Sequence, residues 1–259
     1  MFKIVLDAGH GRNTPGKRCL KSLDPAETRE WVLNARICDK MERLLANYSG
    51  YELLRADDRT GATDVALKAR TDAANRWGAD LYLSVHHNAG LGGRNGGGPE
   101  VYVYTSPSAK TVEYQKIIHD CFVERAGKFG NRANEMPRKN LHVCRETHMP
   151  SVLIECGFMD SPGDVPLILS ESFAYKAAQG LTEALVQIGG LKKVKEETSM
   201  AECKFTDISG HYGEKQIREV FEMGIMNGVD ETHFEPDKPV TRAQAAIIAR
   251  NVVRYITGK

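Results

Sequence analysis

The chain alternates short apolar runs with longer stretches in which apolar positions recur every three or four residues. The runs predict buried strands and lie at 2–8, 51–54, 81–86, 100–104, 141–143 and 151–156. The spaced stretches predict amphipathic helices and lie at 25–47, 63–77, 108–127 and 171–188. Strands and helices in alternation predict an α/β fold, a three-layer αβα domain with a mainly parallel sheet.

The pattern changes after residue 190. Residues 191–203 are charged and nearly free of large apolar side chains, which is typical of a linker. Beyond them, 204–259 shows two short amphipathic stretches, and Thr241 with Gln244 forms a capping box that opens the second. We therefore predict a domain over 1–190, a linker over 191–203 and a small two-helix unit over 204–259.

Composition and charge exclude some partners. The sequence has 35 Lys and Arg against 34 Asp and Glu, so it lacks the concentrated basic charge that nucleic acid selects. No segment reaches the roughly 18 apolar residues needed to cross a membrane. The six scattered cysteines contain no CxxC pair and are interpreted as free thiols. Lys3 and Asp7 interrupt the first apolar run, so nothing there resembles a signal peptide.

Three predicted strands end in residues that can bind a metal or move a proton. His10 follows the first strand between two glycines, which leave room around its imidazole. His86 ends the strand at 81–86, and Glu155 lies near the end of the strand at 151–156. Because ligands gather beyond the carboxyl ends of parallel strands, we predict one metal-centred site at that edge of the sheet.

A nearby carboxylate would complete a catalytic metal site. Zinc enzymes of this kind use two histidines and a glutamate and leave the fourth position to water. Glu30 and Glu27 are both candidates, and either could instead serve only the dipole of the first helix. Glu155 stands in a strand that should be apolar, which favours a functional role as the group that takes and returns a proton. His87 should point to the opposite face from His86.

Three segments give this part of the chain a family resemblance. They read LDAGHG at 6–11, SVHHNA at 84–89 and RETHMPSVLIECGF at 145–158. In this order they resemble the signature segments of zinc-dependent N-acetylmuramoyl-L-alanine amidases of the amidase-3 type. The resemblance covers roughly residues 1–188 and implies hydrolysis of the amide bond between N-acetylmuramic acid and L-alanine in peptidoglycan.

The same resemblance implies a role for each site residue. One Zn²⁺ ion would be held by His10, Glu30 and His86, and Glu155 would be the catalytic general base and acid acting on zinc-activated water. Asn34, four residues after Glu30, matches the family pattern and favours Glu30 over Glu27. The loop between 11 and 30 lacks the family's usual GxxG pattern.

The tail has a resemblance of its own. Its segments FTDI at 205–208, GIMNG at 224–228 and TRAQ at 241–244 follow the order of one S-layer homology (SLH) motif. That family binds secondary cell-wall polysaccharide, which implies polymer contacts at Asp207 and Arg242. The family commonly uses three copies, so a single copy predicts self-association through the tail.

Together the resemblances imply an endolysin of a Gram-positive phage or prophage. Such a protein is expected to be made in the cytoplasm and to act on the cell wall after release, with peptidoglycan as its partner and neither nucleic acid nor membrane. The alternatives are a host autolysin of the same activity, a catalytically inactive wall-binding protein and a metallohydrolase acting on another amide.

Overall fold

The computed structural model describes residues 1–194 and 203–257. The chain divides into two compact units, Met1–Val194 and Lys195–Lys259. Leu191 is buried in the core of the first unit, and the next two residues pair with Tyr48–Ser49 as a short antiparallel ladder. Most of the predicted linker, 195–202, lies outside the described residues.

The first unit is built from alternating strands and helices. Its strands are β1 (Phe2–Ala8), β2 (Tyr48–Ser49), β3 (Tyr51–Arg55), β4 (Leu81–Asn88), β5 (Glu100–Tyr102), β6 (Ser151–Phe158) and β7 (Lys192–Lys193). Its helices are α1 (Glu30–Leu45), α2 (Leu67–Trp77), α3 (Ala109–Ala126), α4 (His142–Arg145), α5 (Val165–Ile168) and α6 (Glu171–Gly189).

A five-stranded sheet forms the middle layer, in the order β3-β1-β4-β6-β5. The first four of these strands run parallel, and β5 pairs antiparallel with β6 at the edge. One face of the sheet packs against α1, α3 and α6, and the other packs against α2 and α4. Both faces are covered by helices, so the central strands are apolar almost throughout. The predicted three-layer αβα fold is confirmed.

The first helix begins later than the sequence pattern predicts. Helix α1 starts at Glu30 rather than near Pro25, because residues 19–28 close into a hydrogen-bonded loop. The Asp24 carboxylate accepts the backbone N–H groups of Ala26 and Thr28 at 3.1 and 2.7 Å. A short polar side chain that satisfies these amides in a turn competes with the helix for them.

Two further predicted elements differ from the structure. Helix α2 begins at Leu67 rather than near Thr63, whose N–H is bonded to the Asp58 carboxylate at 2.9 Å. The predicted strand at 141–143 is wrong: His142 begins the single helical turn α4. The nearest β-pairing to this segment is an isolated bridge between Val103 and Arg138.

The second unit contains α7 (Glu214–Glu222) and α8 (Arg242–Thr257). Its small core consists of Phe205, Ile208 and Ile217. The predicted capping box is present, since Thr241 N donates to Gln244 Oε1 at 2.9 Å and Gln244 N donates to Thr241 Oγ1 at 3.2 Å. All six cysteines of the chain are free thiols. Among the described helices, none has the length and apolar character needed to span a bilayer.

Candidate active site

His10 leaves the end of β1 in an unusual backbone conformation. Its φ of 67° lies in the left-handed region that residues other than glycine rarely adopt. The adjacent Gly9 passes directly over the ring of His86, and a Cβ built on Gly9 would lie 2.0 Å from His86 Cε1. A glycine at this position is therefore what lets the two histidines approach each other.

Glu30 meets both histidines at the first turn of α1. His10 Nε2 lies 3.3 Å from Glu30 Oε2, and His86 Nδ1 lies 2.9 Å from Glu30 Oε1. The three candidate donor atoms all lie within 4.8 Å of one another. Glu27 instead has a φ of 50° and pairs with Arg18 at 3.2 Å. Of the two glutamates that the sequence left open, the fold brings Glu30 to the histidines.

The protonation states of this cluster suit metal binding. Burial alone would raise the pKa of Glu30, but the hydrogen bond and charge of His86 outweigh it and lower that pKa to about 2. Burial lowers the pKa of His10 to about 4, so its imidazole is neutral at pH 7. The bond to Glu30 outweighs burial at His86 and raises its pKa. Metal ligands must be an ionised carboxylate and neutral imidazoles, and Glu30 and His10 are in these forms at pH 7.

A second layer holds these side chains in place. The Asn34 amide donates to the carbonyl oxygen of Gly9 at 3.1 Å, and its Oδ1 lies 2.8 Å from Nδ1 of His87. His87 is buried against Asn34, whereas its neighbour His86 faces Glu30. Glu30 N donates to the carbonyl oxygen of Lys17 at 3.0 Å, which anchors the loop that departs from the family pattern.

Glu155 lies beside this cluster on the next strand. The β4–β6 register pairs it with His86. Burial raises its pKa to about 7, and its Oε2 is buried without a hydrogen-bond partner. A carboxyl group in this state can both accept and donate a proton near neutral pH.

Sequence reasoning missed a second carboxylate beside Glu155. On the other side of β6, the β5 register pairs Glu155 with Glu100, which is buried. Glu100 Oε1 accepts from Arg132 Nε and Nη2 at 3.0 and 2.8 Å, and Oε2 accepts from Asn88 at 2.9 Å and the Tyr102 hydroxyl at 3.0 Å. A glutamate at the start of an alternating strand gives no sequence signal of such burial. The four donors hold its carboxyl group in place next to Glu155.

The glycine-rich loop between β4 and β5, residues 89–99, borders the site and is held in place by hydrogen bonds to two aspartates. Asp160 Oδ2 accepts the N–H groups of Gly90 and Gly92 at 2.8 and 2.7 Å. Asp164 Oδ2 accepts that of Gly98 at 2.8 Å. Both aspartates follow β6, so the loops after His86 and after Glu155 are held together.

The two predicted polymer contacts of the tail differ in their surroundings. The Asp207 carboxylate accepts the backbone N–H groups of Phe234 and Glu235 at 3.0 and 2.7 Å, which is a loop-closing role. Arg242 is exposed at the first residue of α8. A cavity of 640 Å³ lies between α8 and the segment 225–240.

Comparisons with known proteins agree with these observations. A family model described as N-acetylmuramoyl-L-alanine amidase matches residues 4–187, and one described as the S-layer homology domain matches residues 204–246. The sporulation-specific N-acetylmuramoyl-L-alanine amidase of Bacillus subtilis is 37% identical over 194 residues, which is 74% of this chain and 70% of that protein. The endolysin of Bacillus phage SPP1 is 36% identical over 196 residues, covering 74% of this chain and 68% of that one.

Solved structures give the same result for the fold. An N-acetylmuramoyl-L-alanine amidase from Clostridium difficile 630 superposes with a TM-score of 0.64 at 26% identity, covering 72% of this chain and 95% of that one. The catalytic domain of CwlV, from Bacillus (Paenibacillus) polymyxa var. colistinus, gives a TM-score of 0.63 at 24% identity, covering 72% of this chain and 97% of that one. The second match supports the fold alone.

Proposed function

The chain belongs to the N-acetylmuramoyl-L-alanine amidase family and cleaves the amide bond between N-acetylmuramic acid and L-alanine in peptidoglycan; we propose that it does so with one Zn²⁺ ion held by His10, Glu30 and His86. Glu155 is the general base and acid of this reaction. The observation that carries the proposal is the convergence of three donor atoms within 4.8 Å next to a carboxyl group with a raised pKa.

The residues present fit a zinc ion. Two imidazoles and one carboxylate form a common catalytic zinc donor set. Glu30 is 1% exposed, and its Oε2 accepts no hydrogen bond among the described residues. The basic atoms facing this oxygen are His10 Nε2 at 3.3 Å and Lys17 Nζ at 3.7 Å, so it is free to bind a cation seated between the three side chains. When bound, zinc supplies Lewis acidity, which polarises the amide carbonyl and makes water acidic enough to attack near neutral pH.

Glu155 accepts and returns the proton in the proposed reaction. Its carboxylate accepts the proton that the attacking water loses and returns it to the nitrogen of L-alanine as the amide bond breaks. A pKa near 7 matches both transfers, because the group is then neither too weak a base nor too weak an acid. Burial is the main cause of this raised pKa, and the neighbouring carboxylates of Glu30 and Glu100 raise it further.

Digestion of purified peptidoglycan tests this function. Chelator-treated protein should release nothing, and added Zn²⁺ should restore the release of stem peptides that begin with a free L-alanine amino group. Mg²⁺ is the control ion and should not restore activity, because it prefers octahedral oxygen ligands. Glycan fragments, peptides cut at other bonds, or full activity in the presence of chelator would contradict the proposal.

The second unit is proposed to bind the cell wall and to self-associate. The S-layer homology match supports wall binding. Its helix α8 exposes large apolar side chains, with Ile247 and Tyr255 57% exposed and Ile256 73% exposed, and a second copy of the unit could cover them. We further propose that the protein binds secondary cell-wall polysaccharide through this unit and cleaves peptidoglycan of a Gram-positive wall after release, as an endolysin.

Two variants, with one control, separate wall binding from self-association. We expect Arg242→Ala to reduce co-sedimentation with purified walls severalfold, while Arg250→Ala, an exposed arginine of the same helix, changes it little. We expect Ile256→Asp to lower the mass measured by light scattering in solution. Equal wall binding by the two arginine variants, or a monomeric wild-type chain at all concentrations, would contradict the respective role.

A further inference from the structure

Arg70 is a buried arginine of α2 that reaches the backbone around His10. Its residue is 2% exposed. Nη2 donates to the carbonyl oxygen of His10 at 3.0 Å, Nη1 to that of Ala8 at 2.9 Å, and Nε to that of Val65 at 2.8 Å. A single planar guanidinium therefore bonds to the backbone just before α2, at Val65, and to the backbone on both sides of Gly9 after β1.

Two carboxylates complete the surroundings of this guanidinium. Nη1 also donates to Asp7 Oδ1 at 2.5 Å, and Nη2 donates to Asp64 Oδ1 at 3.2 Å. Asp7 is buried, and its Oδ2 accepts the Ser84 hydroxyl at 2.7 Å. Ser84 lies two residues before His86 on β4, so the same ion pair also connects the two strands that carry the histidines.

Asp64 fixes the loop from its outer side. Its Oδ2 accepts the Thr14 hydroxyl at 2.6 Å, and Thr14 Oγ1 in turn accepts the N–H of Gly11 at 2.9 Å. A Cβ on Gly11 would lie 2.9 Å from Asp64 Cα, which shows how closely the two segments pack. Arg70 and Asp64 therefore contact the His10 loop, residues 9–14, at several atoms.

His10 needs this support because of its backbone. A non-glycine residue with a φ of 67° is held in a sparsely populated region, which persists when surrounding contacts over-determine it. Arg70 donates to the carbonyl oxygen of that very residue. Without the guanidinium the backbone of His10 is free to leave this left-handed conformation, and a change in its φ would move the imidazole away from Glu30.

We propose that Arg70 is a positioning residue that holds the His10 imidazole in register with Glu30 and His86. The inference rests on the proposed metal site and adds a residue 60 positions from His10 to its support. Lysine cannot replace this arginine, because the three donors of an ammonium group lie at one point and cannot serve the three carbonyl oxygens and two carboxylates that the planar fork reaches.

The test compares Arg70→Lys with Arg55→Lys in the full chain. Arg55 is a matched control: its side chain is 3% exposed, and its hydrogen bonds go to Asp57, Asp39 and Glu42. Zinc affinity is measured by competition with a chromophoric chelator, and hydrogen exchange at residues 9–14 is measured in the metal-free protein. We expect Arg70→Lys to weaken zinc binding about 10- to 100-fold and to speed exchange in the loop. The control should change affinity less than about threefold and leave exchange at 9–14 unchanged.

A second variant covers the case in which Arg70→Lys does not fold. Asp64 is exposed enough to tolerate Asp64→Ala, and we expect a smaller loss of zinc affinity, about three- to tenfold, again with faster exchange at 9–14. Equal zinc affinities and equal loop exchange for the wild type and these variants would overturn the inference. If the wild type itself binds no zinc, the metal proposal fails, whereas the exchange result in metal-free protein still decides the role of Arg70.

Discussion

Replacing Glu155 by glutamine is expected to lower kcat for peptidoglycan cleavage by about 10²- to 10⁴-fold, the usual contribution of general acid–base catalysis. Glutamine has nearly the same shape but cannot accept the proton of the attacking water. Because Glu155 lies beside the three donors rather than among them, zinc affinity should stay within about threefold of the wild type. A variant that loses zinc together with activity would show that Glu155 is instead a ligand.

The same variant provides an internal control through its stability. Burial raises the pKa of Glu155 in the folded protein to about 7 from its ordinary value of 4.5. The folded state therefore binds more protons than the unfolded state between these values, and the stability of the metal-free protein should fall as the pH rises through this window. Glutamine has no charge to bury.

Glu155→Gln should consequently stabilise the metal-free protein at pH 8 by about 1–3 kcal/mol. At pH 4, where the wild-type carboxyl is protonated in both states, the difference should largely vanish. Urea unfolding of the two proteins at both pH values measures this difference in the free energy of unfolding. A variant that is less stable at pH 8 would contradict the conclusion that the carboxylate is desolvated.

Replacing Glu30 by glutamine is expected to weaken zinc binding by more than about 100-fold and to abolish cleavage at stoichiometric zinc. The loss exceeds the 10- to 100-fold typical of residues that only support a ligand, because the only anionic donor of the cluster disappears. Glu27→Gln is the matched control: Glu27 lies three residues earlier and pairs with Arg18.

The control should keep zinc affinity within about twofold and keep full activity. Isothermal titration calorimetry of the chelator-treated proteins with Zn²⁺ measures the zinc affinity of both variants. Loss of binding in Glu27→Gln with normal binding in Glu30→Gln would reverse the assignment of the two glutamates.

Much of the fold and the centre of the site could be predicted from local patterns. Apolar runs determine buried strands because both faces of a parallel sheet are covered. A His or Glu at the end of such a run is conspicuous for the same reason, which is how His10, His86 and Glu155 were found. The capping box of Thr241 and Gln244 was equally visible, because its two residues bond to each other across a single turn.

Two of the remaining features depend on partners distant in the sequence, and one depends on a competing local turn. Arg70 lies in an amphipathic helix, where one arginine is ordinary, and its function follows only from contacts with β1. Glu100 begins an alternating strand, and its burial depends on Arg132, which lies 32 residues later in the chain. The late start of α1 has a local cause, the Asp24 turn, that competed with a strong helical pattern. Periodicity reports burial, and it carries no information on such long-range pairs.

The central claim is that His10, Glu30 and His86 hold one metal ion beside Glu155. Anomalous diffraction at the zinc absorption edge, from crystals of the full chain grown with Zn²⁺, tests it most directly. We expect one strong anomalous peak per chain, about 2.0–2.2 Å from an imidazole nitrogen of each histidine and from a carboxylate oxygen of Glu30. A fully occupied peak on other donors, or no peak between these three side chains at saturating zinc, would contradict it.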